Sequence, residues 1–176
     1  MIFEARGKKP IIGKNCYIAP TATIVGDVVL GDNTSVWFNT VIRGDVMPVR
    51  IGKECNIQDG SIVHGTYNKC GVELADRVSV GHGVILHGCR VERNVLIGMG
   101  SILMDNVVVA ERCLVGAGSL LTEESQFSAG VLVLGRPAVV RRNLKSEELE
   151  FLEKYADKYL FYKGWYNGQK ESGNGN

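Results

Sequence analysis

The chain of 176 residues has the size of one domain around one hydrophobic core. Its 20 Lys and Arg nearly balance its 19 Asp and Glu, a net charge of +1, which excludes the basic footprint of a nucleic-acid-binding protein. An apolar content of 45% excludes wholesale disorder, and no run nears the roughly 20 apolar residues of a membrane helix; a soluble protein acting on a small molecule or an ion is expected.

The first ten residues carry Glu4 and lack an apolar stretch, so they do not read as a secretory leader. Five cysteines (Cys16, Cys55, Cys70, Cys89, Cys113) are odd in number and form no C-x-x-C pair, which points to a reduced, cytoplasmic compartment and to thiols that serve as small packing residues. From Ile12 the chain becomes periodic. Of 34 Val and Ile, 33 lie between residues 11 and 140, and aliphatic residues recur every six positions. They run Ile12, Ile18, Ile24, Leu30, Val36, Ile42; then Ile51, Ile57, Val63; then Leu74, Val80, Leu86; then Val91, Ile97, Leu103, Val109, Val115, Leu121.

Neither a helix nor an alternating strand sustains a period of six, but a coil of three short strands does. Gly, Asp and Asn after the aliphatic residue, as in Leu30-Gly31-Asp32-Asn33, suit its corners, and β-branched residues suit its strands. Eighteen hexads make about six triangular coils stacked at roughly 4.8 Å. The expected fold is all-β, a parallel β-helix over residues 1–140.

Two interruptions add three residues around Val46-Met47-Pro48 and five around Thr66 to Gly71. Both are expected to be corner loops, where a rigid scaffold carries function. After the turn Gly135-Arg136-Pro137-Ala138 the texture changes, and seven of the 13 aromatic residues fall between 151 and 166. A helix over 141–168 is expected to pack along the prism, capped by Ser146, with Glu147 and Glu148 at its positive end. Leu149, Leu152, Tyr155, Ala156 and Tyr159 make its apolar stripe. Residues 169–176 are expected to be a disordered tail.

All three histidines, His64, His82 and His87, lie within 24 positions. Three hexads make one coil, so Ile42, Val63 and Leu86 share a face, and Arg43, His64 and His87, the residues after them, form one column. Imidazoles one coil apart, roughly 4.8 Å, can lean together on a metal with bonds to nitrogen of about 2.0–2.1 Å. Asp59 and His82 form a second column. His82 is separated from His87 by a corner and roughly 16 Å of extended chain, so a site using all three would take His82 from a neighbouring subunit. A heterologous contact of that kind closes into a ring, and a triangular prism suggests three members. The competing reading makes these histidines interface residues only.

The hexads resemble those of hexapeptide-repeat proteins, which implies a left-handed prism and a trimer. A more specific set of residues is similar to the γ-class carbonic anhydrases: Val41-Ile42-Arg43-Gly44-Asp45, Asn56-Ile57-Gln58-Asp59-Gly60, Val63-His64, and Gly81-His82 through Leu86-His87. The resemblance implies a homotrimer with His64, His82 and His87 binding a divalent metal at the subunit interface, zinc first and iron or cobalt as alternatives. It also implies that Arg43 pairs with Asp45 and Asp59 across that interface and that Gln58 orients a metal-bound water or hydroxide. The implied reaction is reversible hydration of carbon dioxide to bicarbonate, with the metal drawing the pKa of bound water toward about 7.

Against these roles, Arg43, Asp45 and Asp59 also suit a structural ion-pair set, and Gln58 a corner amide bonded to backbone. The sequence departs from the family pattern in having no acid in Val46-Met47-Pro48 or in Gly65-Thr66-Tyr67-Asn68-Lys69-Cys70, where the resemblance places acids for proton export. Tyr67 and Tyr159 are the nearest other polar candidates, with packing as their alternative role. Two other functions stay open: an acyl-CoA thioesterase or acyltransferase on the same fold, and a non-catalytic metal-binding trimeric scaffold.

Overall fold

A computed structural model describes residues 1–166. The expected tail, 169–176, and the last expected helical positions lie outside the described residues. The chain winds into a parallel β-solenoid of about seven turns with a single C-terminal helix. Two of its ladders matter for the site. The first stacks Thr23–Leu30, Val41–Ile51, Ile62–His64, Ile85–His87, Ile102–Leu103 and Leu120–Leu121. The second stacks Tyr17–Ile18, Ser35–Val36, Asn56–Ile57, Ser79–Val80, Leu96–Ile97, Leu114–Val115 and Val131–Gly135.

The expected register is present. Ile42 pairs with Val63 and Val63 with Leu86 on the first ladder, and Ile57 pairs with Val80 on the second. Ile24, Ile42, Ile57, Val63, Val80, Leu86 and Leu103 are fully buried, each stacked on its equivalent one coil away. Burying a Val, Leu or Ile is worth about 1.5–3 kcal/mol, and these stacked columns form the core. The hexad count falls one coil short because Ile2, Phe127 and Val133 continue the three faces beyond the aliphatic series; Ile2 pairs with Ile24, Phe127 with Val109 and Val133 with Val115.

Five thiols are present and none is paired. Cys55 and Cys113 point from buried positions at carbonyl oxygens, those of Ala75 at 3.1 Å and Ser128 at 3.0 Å. Burial pushes the thiols of Cys55 and Cys89 up to about 12, so they are inert packing groups.

The first interruption is not a loop. Residues 41–51 form one continuous strand that bends around a corner against Thr23–Leu30, and the three extra residues are absorbed by a register shift between Gly26 and Val28. The backbones approach so closely there that a Cβ on Gly44 would sit 2.3 Å from the carbonyl oxygen of Asp27, which accounts for the glycine between Arg43 and Asp45. The second interruption is a tight turn, closed by the bridge between Thr66 and Cys70.

At the far end, Val131–Gly135 turns back at Arg136-Pro137 into the antiparallel strand Ala138–Asn143. This strand closes an edge that would otherwise offer unpaired backbone groups. The helix runs Ser146–Lys163. Ser146 is its first helical residue and not its cap: Lys145 holds the cap position, and the Glu148 carboxylate accepts the Lys145 backbone N–H at 2.8 Å. Leu152 and Ala156 are buried, while Leu149, Tyr155 and Tyr159 are partly so.

Polar ties complete the docking of the helix. Arg77 donates to the Glu153 carbonyl at 2.6 Å and the Asp157 carboxylate at 2.8 Å, and the Lys163 ammonium donates to the carbonyls of Asn15 and Asn33, each at 2.9 Å. No helix among the described residues is long and apolar enough to cross a membrane.

Candidate metal centre

Strand pairing places His64 directly opposite His87. Their ring centroids are 5.6 Å apart, near the spacing of adjacent coils, and Arg43 lies on the preceding coil of the same column. Arg43 Nη2 and Asp45 Oδ1 each lie 3.0 Å from His64 Nε2, and Arg43 Nε lies 3.4 Å from Asp45 Oδ2. Arg43, Asp45 and His64 therefore form one cluster within a single chain.

His82 sits on the second column, where its Nδ1 lies 2.9 Å from Asp59 Oδ2. Within the chain Asp59 thus faces His82, whereas Arg43 faces Asp45 and His64. Among the described residues, no three His, Cys, Asp or Glu side chains of one chain converge as a metal site.

Gln58 is buried at 2% exposure. Its side-chain amide is bonded to a neighbouring side chain: Nε2 donates to Asn56 Oδ1 at 3.0 Å, and Asn56 Nδ2 donates to Ser79 Oγ at 2.7 Å. Tyr159 packs edge-on against Trp37, centroids 5.7 Å apart, and burial raises its phenol pKa. Gln58, His82, Leu96, Met99, Tyr155 and Tyr159 line a cavity of about 320 Å³ between helix and solenoid. Tyr67 is well exposed, with Arg6 over its ring at 5.4 Å.

The family model for bacterial transferase hexapeptide (six repeats) matches residues 9–44 and 88–123. The unmatched stretch between them holds both interruptions and all three histidines. A carbonic anhydrase of Geobacillus kaustophilus is 46% identical over 167 residues, 93% of this chain and 91% of its own. Gamma carbonic anhydrase 2, mitochondrial, of Arabidopsis thaliana is 38% identical over 158 residues, covering 87% of this chain and 57% of its own. The crystal structure of a hexapeptide transferase family protein from Anaplasma phagocytophilum superposes with a TM-score of 0.90 at 38% identity, over 94% of this chain and 98% of that one.

The chain belongs to the γ-carbonic anhydrase-like family.

Membership in the γ-carbonic anhydrase-like family implies a metal, and the donor set fits one. His64 and His87 are neighbours across two coils, and neutral imidazoles are good ligands for zinc, cobalt or iron. His82 and His87 each have Nδ1 against a carboxylate, the arrangement that leaves Nε2 as the ligating atom.

Two residues beside the histidines escaped the sequence reading. Asn56 stood in the motif with no role of its own, yet it holds Gln58. Asp105, in the ordinary corner pair Asp105-Asn106, lies 2.7 Å through Oδ1 from His87 Nδ1. Burial opposes its charge, but hydrogen bonds from Thr66, His87 and Lys69 hold its carboxyl at about 2. The signal was available in the register: Leu86 pairs with Leu103, so Asp105 stands one coil beyond His87 and offset from it by a single residue.

Proposed function

We propose that this protein is a metal-dependent carbonic anhydrase-like hydratase interconverting carbon dioxide and bicarbonate, assembled as a homotrimer with a divalent metal, zinc in the first instance, at each subunit interface. The observation that carries this reading is the in-register pair His64 and His87 at 5.6 Å. A third histidine, His82, stands on a different column, outside any three-ligand group of the same chain. His64 and His87 of one subunit and His82 of the next would hold the metal. When bound, the metal supplies Lewis acidity that brings a water's pKa toward about 7.

The chain's own residues supply the rest. Gln58 has its Nε2 committed to Asn56, so its Oε1 is the end that would orient the reacting water. Arg43, held by Asp45 at 3.4 Å, would pair with Asp59 of the adjoining subunit and secure the contact. Tyr159 lines the cavity beside Gln58 and His82 and closes the site on the helix side.

The test is stopped-flow carbon dioxide hydration by protein purified without oxygen and loaded with zinc, cobalt or iron, with His82→Ala as control. Metal-dependent turnover is expected, lost in the control and partly restored by mixing His82→Ala subunits with His64→Ala subunits. His82→Ala protein with full metal content would sink the shared site.

One observation favours a second reading. Leu96, Ile97, Met99 and Ala117 make much of the cavity beside His82 apolar, which suits an acyl chain and hence acyl-CoA thioester hydrolysis. Thioester turnover by a metal-loaded protein inactive on carbon dioxide would decide for it.

A further inference from the structure

We propose that Asp105 is a positioning residue for His87 and that the turn Thr66–Cys70 is the clamp that holds it; the inference rests on reading His87 as a metal ligand. The Asp105 side chain is only 7% exposed, yet its two oxygens take three donors. Oδ1 accepts from His87 Nδ1 at 2.7 Å, while Oδ2 accepts from the Thr66 hydroxyl at 2.7 Å and lies 3.1 Å from the Lys69 ammonium. A carboxylate beside an ammonium and a hydroxyl can only accept, so a neutral His87 imidazole carries its proton on Nδ1. The Nε2 lone pair is then the one presented outward.

The surroundings leave little room for another arrangement. A Cβ on Gly88 would sit 2.7 Å from Asp105 Oδ1 and 2.4 Å from Cys70 Sγ, at a backbone φ of +62°. Only glycine lets the turn and the carboxylate close over the residue after His87. The Gly88 carbonyl in turn accepts the Asn106 N–H at 2.7 Å, which fixes the corner carrying Asp105.

His82 offers the contrast. It and Asp59 are 50% and 41% exposed within the single chain, so water competes for that contact. The five extra residues between Val63 and Leu74 thus have a definite use: they bring Thr66 and Lys69 to a carboxylate that solvent would otherwise have to satisfy.

The experiment uses protein labelled with ¹⁵N-histidine, whose three histidines give a simple spectrum. Long-range ¹H–¹⁵N correlations at alkaline pH without metal report each tautomer, and chelator competition reports cobalt(II) affinity. Wild type is expected to show His87 protonated on Nδ1. Asp105→Ala should move His87 toward the Nε2–H form and weaken cobalt binding by about 10–100-fold. Thr66→Val with Lys69→Met, which leaves Asp105 in place, should shift both readouts in the same direction by less.

A folded Asp105→Ala protein with His87 still protonated on Nδ1, or with wild-type cobalt affinity, overturns the positioning role. If Asp105→Ala does not fold, unchanged readouts in the double variant overturn it. A wild-type protein that keeps the Nδ1–H form and binds no cobalt overturns the metal reading, and with it the role of Asp105 toward a ligand.

Discussion

At the scale of single residues, side chains of similar polarity around the histidines divide by burial into two kinds. Gln58 is buried and bonded in series to Asn56 and Ser79, so Gln58→Ala strands the Asn56 oxygen and should cost about 1–3 kcal/mol of stability, read by urea denaturation. Arg43, 47% exposed in its pair with Asp45 within the single chain, is a surface ion pair of the lone subunit, and Arg43→Ala should change the stability of the dissociated subunit by no more than about 1 kcal/mol in the same assay run under dissociating dilution. The histidines stood out in the sequence by their clustering, and Arg43, Asp45, Gln58 and Asp59 by the family motifs in which they stand. Asp105 did not, because the same corner position also holds Asp32, Asp59 and Asp76, and only the stacking of Leu86 on Leu103 brings that particular carboxylate to His87.

At the scale of elements, the helix start is governed by a carboxylate rather than a hydroxyl. Glu148 takes both Arg142 guanidinium nitrogens, at 2.7 and 2.8 Å, along with the Lys145 N–H, and these hold its carboxyl at about 2. A carboxyl near 4.3 in the unfolded chain and lower in the folded one stabilises the fold fully above the unfolded value and loses that contribution as pH falls toward about 2. In an acid titration followed by the helix signal in circular dichroism, Glu148→Gln should therefore lie below wild type at neutral pH, and the difference should vanish between about pH 4.3 and pH 2. A gap that persists below pH 2 would refute this assignment. The sequence reading found the helix and its stripe but began it at 141, inside the strand Ala138–Asn143, and put the cap on Ser146, because capping preference ranks residue types and cannot see Arg142 reaching across from the preceding strand. The first interruption was misread for a related reason: three extra residues look like a loop until a neighbouring strand with Gly26 and Gly44 is there to absorb them.

At the scale of the whole molecule, stability is a sum of coil-on-coil contacts. Leu86, fully buried between Val63 and Leu103, should cost about 2–5 kcal/mol when replaced by Ala. Ile12, partly buried on the first turns, should cost distinctly less, as judged by urea midpoints for the two variants; equal losses would contradict nearest-neighbour additivity. The sequence by itself determined the solenoid, its register and the column of Arg43, His64 and His87, since a period of six leaves the backbone one way to bury its aliphatic residues. Tertiary structure alone decided that the second ladder stacks seven parallel strands, that Asp45 turns onto His64, and that the second interruption ends on Asp105. Those outcomes depend on distances between coils of 17 or more residues, and periodicity specifies which residues share a face without specifying which polar atoms across it meet.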